Sequence, residues 1–166
     1  MLIREIQPED AACFTNLVQQ VEAESEFMLM EAGERKTSFE KQRQQLERLS
    51  QQENSTIFVA EDDDGQLVGY LIVIGGNVKR KKHSAYLVIG ILQNYRGQGI
   101  GTALFQTLDK WGKAHHLSRL ELSVVTQNVA GIALYKKRGF DIEGTKRQSL
   151  VIDGTFYDEY YMAKLL

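Results

Sequence analysis

The chain has 166 residues, 43% hydrophobic and 25% charged, and its 20 basic against 22 acidic side chains give a formal net charge of −2. That length suits one domain over residues 1–166 with its own core, and the lack of a basic excess argues against a nucleic-acid-binding surface. The lone Cys13 rules out an intramolecular disulfide and fits a reducing compartment; with no apolar run near the ~20 residues of a membrane span and acids in MLIREIQPEDAA where a leader peptide needs an apolar core, the expectation is a cytoplasmic protein without a membrane partner.

In chain order, Leu2 to Ile6 alternates apolar and polar residues and predicts a short strand. Pro8, Glu9 and Asp10 place a proline and acids in the first turn of a helix, continued by Phe14, Leu17, Val18 and Val21 at helical spacing. From Glu22 to Thr37 the pattern is mixed and predicts no element. Ser38 opens a second helix with a narrow apolar edge at Leu46 and Leu49. TIFVAEDDDGQLVGYLIVIGG reads as two strands around the turn Asp63-Asp64-Gly65. A further turn from Asn77 to Lys82 leads into the strand SAYLVIGIL. Thr102 to His115 is helical, with Ala103, Leu104, Leu108 and Trp111 as its apolar stripe. SRLELSVV alternates as a strand. Asn128 to Lys137 is a short helix stopped by Gly139, and two final strands, near 140–151 and 155–164, meet at Asp153-Gly154. The order is β-α-α-β-β-β-α-β-α-β-β, an α/β (α+β) arrangement. The strand–helix–strand unit at 85–124 implies one parallel pairing, and the hairpins imply antiparallel ones.

Three of the chain's 14 glycines fall at 97, 99 and 101, directly after Arg96 and just before a helix. Glycines clustered at a helix start suit a phosphate, because the first N–H groups of a helix have no intrahelical partner. A Walker-type loop needs lysine before its Ser or Thr, and Gly101 runs straight into Thr102. A dinucleotide fingerprint would use Glu121, roughly 20 residues on, to hold a ribose. However, Gly97-x-Gly99-x-x-Thr102 lacks the third small residue, and LQNYR separates strand from glycines where a tight turn is needed. Arg96-Gly97-Gln98-Gly99-Ile100-Gly101 resembles the acyl-CoA loop of the GNAT acetyltransferase superfamily, Gln/Arg-x-x-Gly-x-Gly/Ala, with Arg96, Gly99 and Gly101 in the fixed positions. NVAGIALYKKRGF, residues 128 to 140, resembles that family's Asn-x-x-Ala-x-x-Leu-Tyr-x-x-x-Gly-Phe; Gly131 alone departs, standing where alanine is usual. The element order is similar over nearly the whole chain, which implies a GNAT fold: a mostly antiparallel twisted sheet of about seven strands with about four helices.

The resemblance implies acetyl-CoA as co-substrate and no metal. The N–H groups of Gly97, Gln98, Gly99, Ile100, Gly101 and Thr102 can converge on a pyrophosphate, helped by the helix dipole, and Arg96 adds a cation with several donors. By resemblance the strand Leu87 to Leu92 receives the pantetheine arm along a free edge, at Ile89 and Ile91. Gly90 fits a bulge or a close backbone approach. An N–H near Ile91 would meet the thioester oxygen, Asn128 would support the arm, and Tyr135 would lie beside the sulfur. Tyrosine, with pKa near ~10, can protonate a departing thiolate. Tyr135 follows Asn128 by two helical turns, so the two side chains face the same way.

The general base stays open. HSAYLVIGIL holds no acid, only His83 and Tyr86; a water chain or an acid between Glu22 and Glu34 are the other routes. His115 and His116 sit at a helix C-terminus, and adjacent histidines lack zinc spacing. By resemblance the acceptor pocket is lined by EAESEFMLMEAGER, with Glu22, Glu24, Glu26, Glu31 and Glu34, and by the last hairpin, with Asp153, Asp158 and Glu159 among Tyr157, Tyr160 and Tyr161. Acids with aromatics suit a cationic amine, so a small-molecule or peptide amine is the expected partner: a peptide N-terminus, a polyamine, an aminoglycoside or a small amino compound. A homodimer is a further partner to test. The expected reaction is direct acetyl transfer from acetyl-CoA to a primary amine. An acyl-CoA sensor or interaction module without turnover is the alternative, because a fold does not fix a function.

Overall fold

A computed structural model describes residues 1–166. Seven strands form one sheet: β1 (Leu2–Glu5), β2 (Thr56–Glu61), β3 (Leu67–Gly75), β4 (Ser84–Ile91), β5 (Arg119–Val125), β6 (Asp141–Ile152) and β7 (Thr155–Leu165), in the spatial order β1-β2-β3-β4-β5-β7-β6. Four helices cover it: α1 (Ala11–Glu24), α2 (Phe39–Leu49), α3 (Ile100–Ala114) and α4 (Val129–Lys137). All pairings are antiparallel except β4 with β5. This is the mixed, mostly antiparallel architecture expected of the sequence. The last hairpin returns with β7, not β6, against β5, so β6 becomes an edge.

Helix boundaries follow local chemistry. One 3-10 turn at Pro8–Asp10 leads into α1, whose Phe14, Leu17, Val18 and Val21 are buried on the sheet. Ser38 caps α2 by accepting from the Lys41 N–H at 3.1 Å, satisfying one of the unpartnered donors of the first turn. Between α1 and α2 the chain forms no regular element, in line with its mixed pattern. β3 is central and buried on both faces, through Val68, Tyr70, Leu71 and Val73. α3 buries Leu104, Phe105 and Leu108.

Two local expectations are corrected. α3 begins at Ile100, two residues earlier than the pattern Thr102 to His115 predicts, because Gly97 (φ +73°) and Gly99 (φ +83°) complete the turn before it. Ile100 and Gly101 therefore belong to the helix, not the loop. At Gly90 there is no bulge: the register against β3 runs unbroken from Gly69↔Ile91 to Gly75↔Ala85. The close approach comes from a side chain, since a Cβ on Gly90 would stand 2.5 Å from Tyr70 Cζ.

The sheet opens at one place. β4 and β5 pair only at Ser84↔Arg119, Ala85↔Leu120 and Tyr86↔Glu121. Beyond these, β4 stays with β3 as far as Ile91, and β5 stays with β7 as far as Val125. Each strand keeps its outer neighbour while the two part from each other, leaving a wedge that widens toward the start of α3.

Candidate active site

The wedge exposes backbone. Gly76 N donates to Ser84 O and Leu92 N to Val68 O, so the even-numbered residues of β4 turn their polar groups to β3. With a period of two, Leu87, Ile89 and Ile91 turn theirs toward β5, where no partner strand follows. The Ile91 carbonyl is taken by Arg96 Nε at 3.2 Å; the Ile89 N–H and carbonyl and the Ile91 N–H face the opening. Buried backbone groups without partners are costly, so this edge is prepared for an extended, amide-bearing ligand.

At the wide end lies the glycine turn. No backbone or side-chain acceptor in the chain takes the N–H groups of Gly97, Gln98, Gly99, Ile100, Gly101 or Thr102; the first acceptor use at this helix start is Ala103 N to Gly99 O at 3.0 Å. Six consecutive free donors at the positive end of a fifteen-residue helix form an anion-binding concavity. The Gln98 side chain folds away, donating to Asn94 O at 3.1 Å. Gly97 and Gly99 have open space where a side chain would stand, and both adopt positive φ. Gly101 differs: a Cβ there would meet Leu134 Cδ2 at 2.7 Å, so this glycine lets α3 approach α4.

A cavity of about 650 Å³ runs through the wedge and under α1 and α2. Its walls include Ile89, Asn128 and Tyr135, which the structure brings together. Ile91, the last residue of β4, lies outside that cavity, as do Arg96 and Gly97 to Thr102 beyond the strand's end. Tyr135 is 8% exposed, in edge-to-face contact with Phe105 and Phe140. Burial and nearby Tyr86 push its pKa up to about 12, and no hydrogen bond to the chain engages it. Asn128 caps α4, its Oδ1 accepting from Gly131 N at 3.0 Å; its Nδ2 remains free to donate. The missing methyl of Gly131 has a reason here: a Cβ would stand 2.7 Å from Asn128 Nδ2 and push the capping side chain aside.

Of the acids expected to line the acceptor pocket, only Glu22 and Glu159 reach the cavity wall. The charged side chains lining the cavity are Glu22, Arg35, Lys146 and Glu159, two of each sign. Glu22, 3% exposed at its side chain, is held by Arg35 at 2.9 Å, and Glu159 accepts from Ser149 at 2.8 Å with Lys146 at 3.6 Å. Glu24 instead accepts from the Gln93 N–H at 2.7 Å, and Asp158 from the Gln148 N–H at 2.7 Å. Glu26 and Glu31 are exposed and do not line the cavity. His83 is exposed and outside it too. Sequence reasoning missed Tyr70, Arg35 and Lys146. Tyr70 looked like ordinary strand filling, and Arg35 lies in the patternless segment. Lys146 sits opposite Glu159 in the last hairpin, just before a break in register between Lys146 and Leu150 where Gln148 takes a φ of +50°.

A twisted sheet that splits between two parallel strands, beside a row of free N–H groups, defines the class: an α/β acetyltransferase fold. The chain belongs to the acetyltransferase (GNAT) family, whose model matches residues 18–140. The L-amino acid N-acetyltransferase AaaT of Escherichia coli (strain K12) is 33% identical over 106 residues, an alignment covering 61% of this chain and 64% of that protein, just under two thirds of its length. A solved acetyltransferase of the GNAT family from Streptococcus pneumoniae superposes with a TM-score of 0.95 at 32% identity, covering 99% of both chains. A GNAT superfamily phosphinothricin acetyltransferase from Sinorhizobium meliloti, solved in complex with acetyl-CoA, shares the fold with a TM-score of 0.86 at 19% identity, covering 99% of this chain and 88% of that one. No helix of the chain is long and apolar enough to cross a membrane.

Proposed function

We propose that the chain, acting as one domain over residues 1–166, is an acetyl-CoA-dependent N-acetyltransferase of the cytoplasm that acetylates the primary amine of a small acceptor. The observation that carries this reading is Tyr135, buried with an unengaged hydroxyl on the cavity that runs through the split between β4 and β5. The pyrophosphate takes the N–H groups of Gly97 to Thr102 with Arg96 beside it. The pantetheine amides pair with the Ile89 carbonyl and the Ile91 N–H and accept from Asn128 Nδ2. This threads the thioester through the wedge toward Tyr135.

The steps then balance. The amine nitrogen attacks the thioester carbonyl; a C–N bond forms and the oxygen charge is met by the Ile89 N–H, deeper in the wedge than the Ile91 N–H that holds the arm. The C–S bond breaks, and the thiolate takes the Tyr135 proton. The ammonium proton released from the new amide nitrogen returns to the phenolate through cavity water. Burial that holds Tyr135 protonated also raises the pKa of a thiol in the same pocket, so donor and acceptor stay matched. Glu22 is poorly suited as a base, because both of its oxygens accept from Arg35. The amine therefore arrives neutral or loses its proton to solvent. The test is release of free CoA thiol from acetyl-CoA with a panel of amines, with the acetylated product identified by mass spectrometry. Tight acetyl-CoA binding with no amine-dependent thiol would favour a sensor instead.

A further inference from the structure

Acetyl transfer as described leaves one cluster in the cavity unused. Glu22 of α1 is clamped by Arg35 Nε at 3.0 and 3.1 Å and by Arg35 Nη2 at 2.9 Å. A buried ion pair is weak evidence for stability, since apolar groups of the same volume often do as well; its place on a cavity wall calls for another account. Arg35 uses only Nε and Nη2 on Glu22. Its Nη1 makes no hydrogen bond in the chain, and its side chain is 37% exposed. Beside the pair stands Tyr70 of β3, 1% exposed, within the field of both Glu22 and Arg35 and with no hydrogen bond for its hydroxyl. Tyr70 lies across from Gly90 on β4, and a Cβ there would be 2.6 Å from the Tyr70 hydroxyl oxygen. That hydroxyl thus sits between the ion pair and the stretch of β4 whose Ile89 and Ile91 face the wedge.

A guanidinium edge and a phenol hydroxyl, both without partners, form a donor set for a carboxylate. The surrounding wall is apolar, formed by Ile57, Ile72 and Val88 of the sheet and by Phe14, Val18 and Leu46 of the helices over it. We propose that the acceptor is an α-amino acid with an apolar side chain, its carboxylate held by Arg35 Nη1 and the Tyr70 hydroxyl and its amino group directed to the β4–β5 opening. This rests on the acetyltransferase reading above and deepens it. A zwitterion also suits a cavity whose own charges cancel, since it adds no net charge to a poorly solvated space. A polyamine brings several cations and no group for Arg35. An amine without a carboxylate gives Arg35 Nη1 and the Tyr70 hydroxyl no acceptor, and a site that binds a polar group discriminates against the analogue that lacks it.

The experiment compares L-leucine, L-leucinamide and 3-methylbutylamine as acceptors, read as CoA thiol release at saturating acetyl-CoA. Leucinamide is a stringent control: an α-amino group beside an uncharged carbonyl has a pKa near ~7.7–8.0, so it offers more free amine than leucine at neutral pH. The expected result is a kcat/KM for leucine at least tenfold above both others. In the paired variant Glu22→Gln/Arg35→Gln, which keeps the shape and leaves no lone buried charge, the KM for leucine rises at least tenfold while that for acetyl-CoA holds, and the preference over leucinamide disappears. Tyr70→Phe, which removes one hydroxyl, moves the same ratio in the same direction. Equal use of leucine and leucinamide by the unaltered protein, or a preference that survives both variants, overturns the carboxylate subsite and leaves the transferase reading standing. Thiol release with none of these three but with another amine of the wider panel overturns the carboxylate subsite alone; release with no amine of that panel, despite acetyl-CoA binding, overturns both.

Discussion

Gly101 of α3 and Leu134 of α4 are in contact where the two functional helices meet: a Cβ on Gly101 would come to 2.7 Å from Leu134 Cδ2. One helix begins with the free N–H row and the other carries Tyr135 next to Leu134 in sequence. The spacing between them sets where a bound thioester meets the phenol. Gly101 and Gly99 therefore do different jobs, although the sequence presents them as two glycines of one loop.

Gly101→Val should act through packing. Branched carbons at this crossing overfill it, which typically costs about 1–3 kcal/mol, and denaturant unfolding should show a loss of that order together with a lower kcat. Gly99→Val should act through the backbone. It has no neighbours to strike, but φ +83° is a rare conformation for a β-branched residue. The turn should reorient the Gly99 and Ile100 N–H groups, and acetyl-CoA affinity should fall more than tenfold, over ~1.4 kcal/mol. Calorimetry on folded Gly99→Val giving unchanged affinity would remove the turn from the phosphate site.

Tyr135→Phe keeps the ring contacts with Phe105 and Phe140 and removes only the hydroxyl. Acetyl-CoA affinity should hold while kcat falls on the order of 10²–10⁴-fold, the usual loss for a general acid. A weaker affinity with unchanged kcat would make Tyr135 a packing residue.

Much of this arrangement was legible in the sequence because it depends on short-range patterns. Glycines before an amphipathic run are read from spacing; Asn128 and Tyr135 are singled out by the family resemblance, and spacing adds that they share a helix face. The acceptor wall was not legible for a physical reason. Glu22 and Arg35 are joined across a segment with no period, and Tyr70 gains meaning only when Gly90 of another strand gives up its side chain to admit the ring. Such pairings arise from sheet register, which local pattern does not reveal. The fold's one departure from simple order, β7 lying inside β6, is likewise set by register against β5.

Alkaline pH should destabilise the fold through its buried tyrosines. Burial raises the Tyr135 pKa from 10.0 to about 12, and Tyr70 is raised as well. A raised folded pKa means the unfolded chain loses its proton first, so this stability is fully present below about pH 10 and fades as pH climbs through the folded values. Urea midpoints should therefore decline above pH 10, less steeply in Tyr135→Phe. Tyr135 stays protonated from pH 6 to 9, so the rate should rise across that range with the neutral amine and show no falling limb from this residue. A falling limb below pH 9 that vanishes in Tyr135→Phe would contradict its burial.

The cavity's charge balance makes the last prediction. Acids near an acceptor mouth would draw cations through solvent, and that attraction would fade with salt as the Debye length falls from ~10 Å at 0.1 M to ~3 Å at 1 M. Here Glu24 and Asp158 are tied to backbone N–H groups, Glu26 and Glu31 do not line the cavity, and the lining charges are two acids and two bases. Long-range steering of a cation into this site should be weak. Reversing Glu26 and Glu31 to lysine should leave the acceptor KM within about twofold, and raising salt from 0.1 to 1 M should do little more. A short contact inside the cavity is screened far less than a surface field, so disrupting Glu22 and Arg35 should matter where reversing those two glutamates does not. A KM that rises steeply both with salt and with the two surface reversals would restore an acidic mouth and a cationic acceptor.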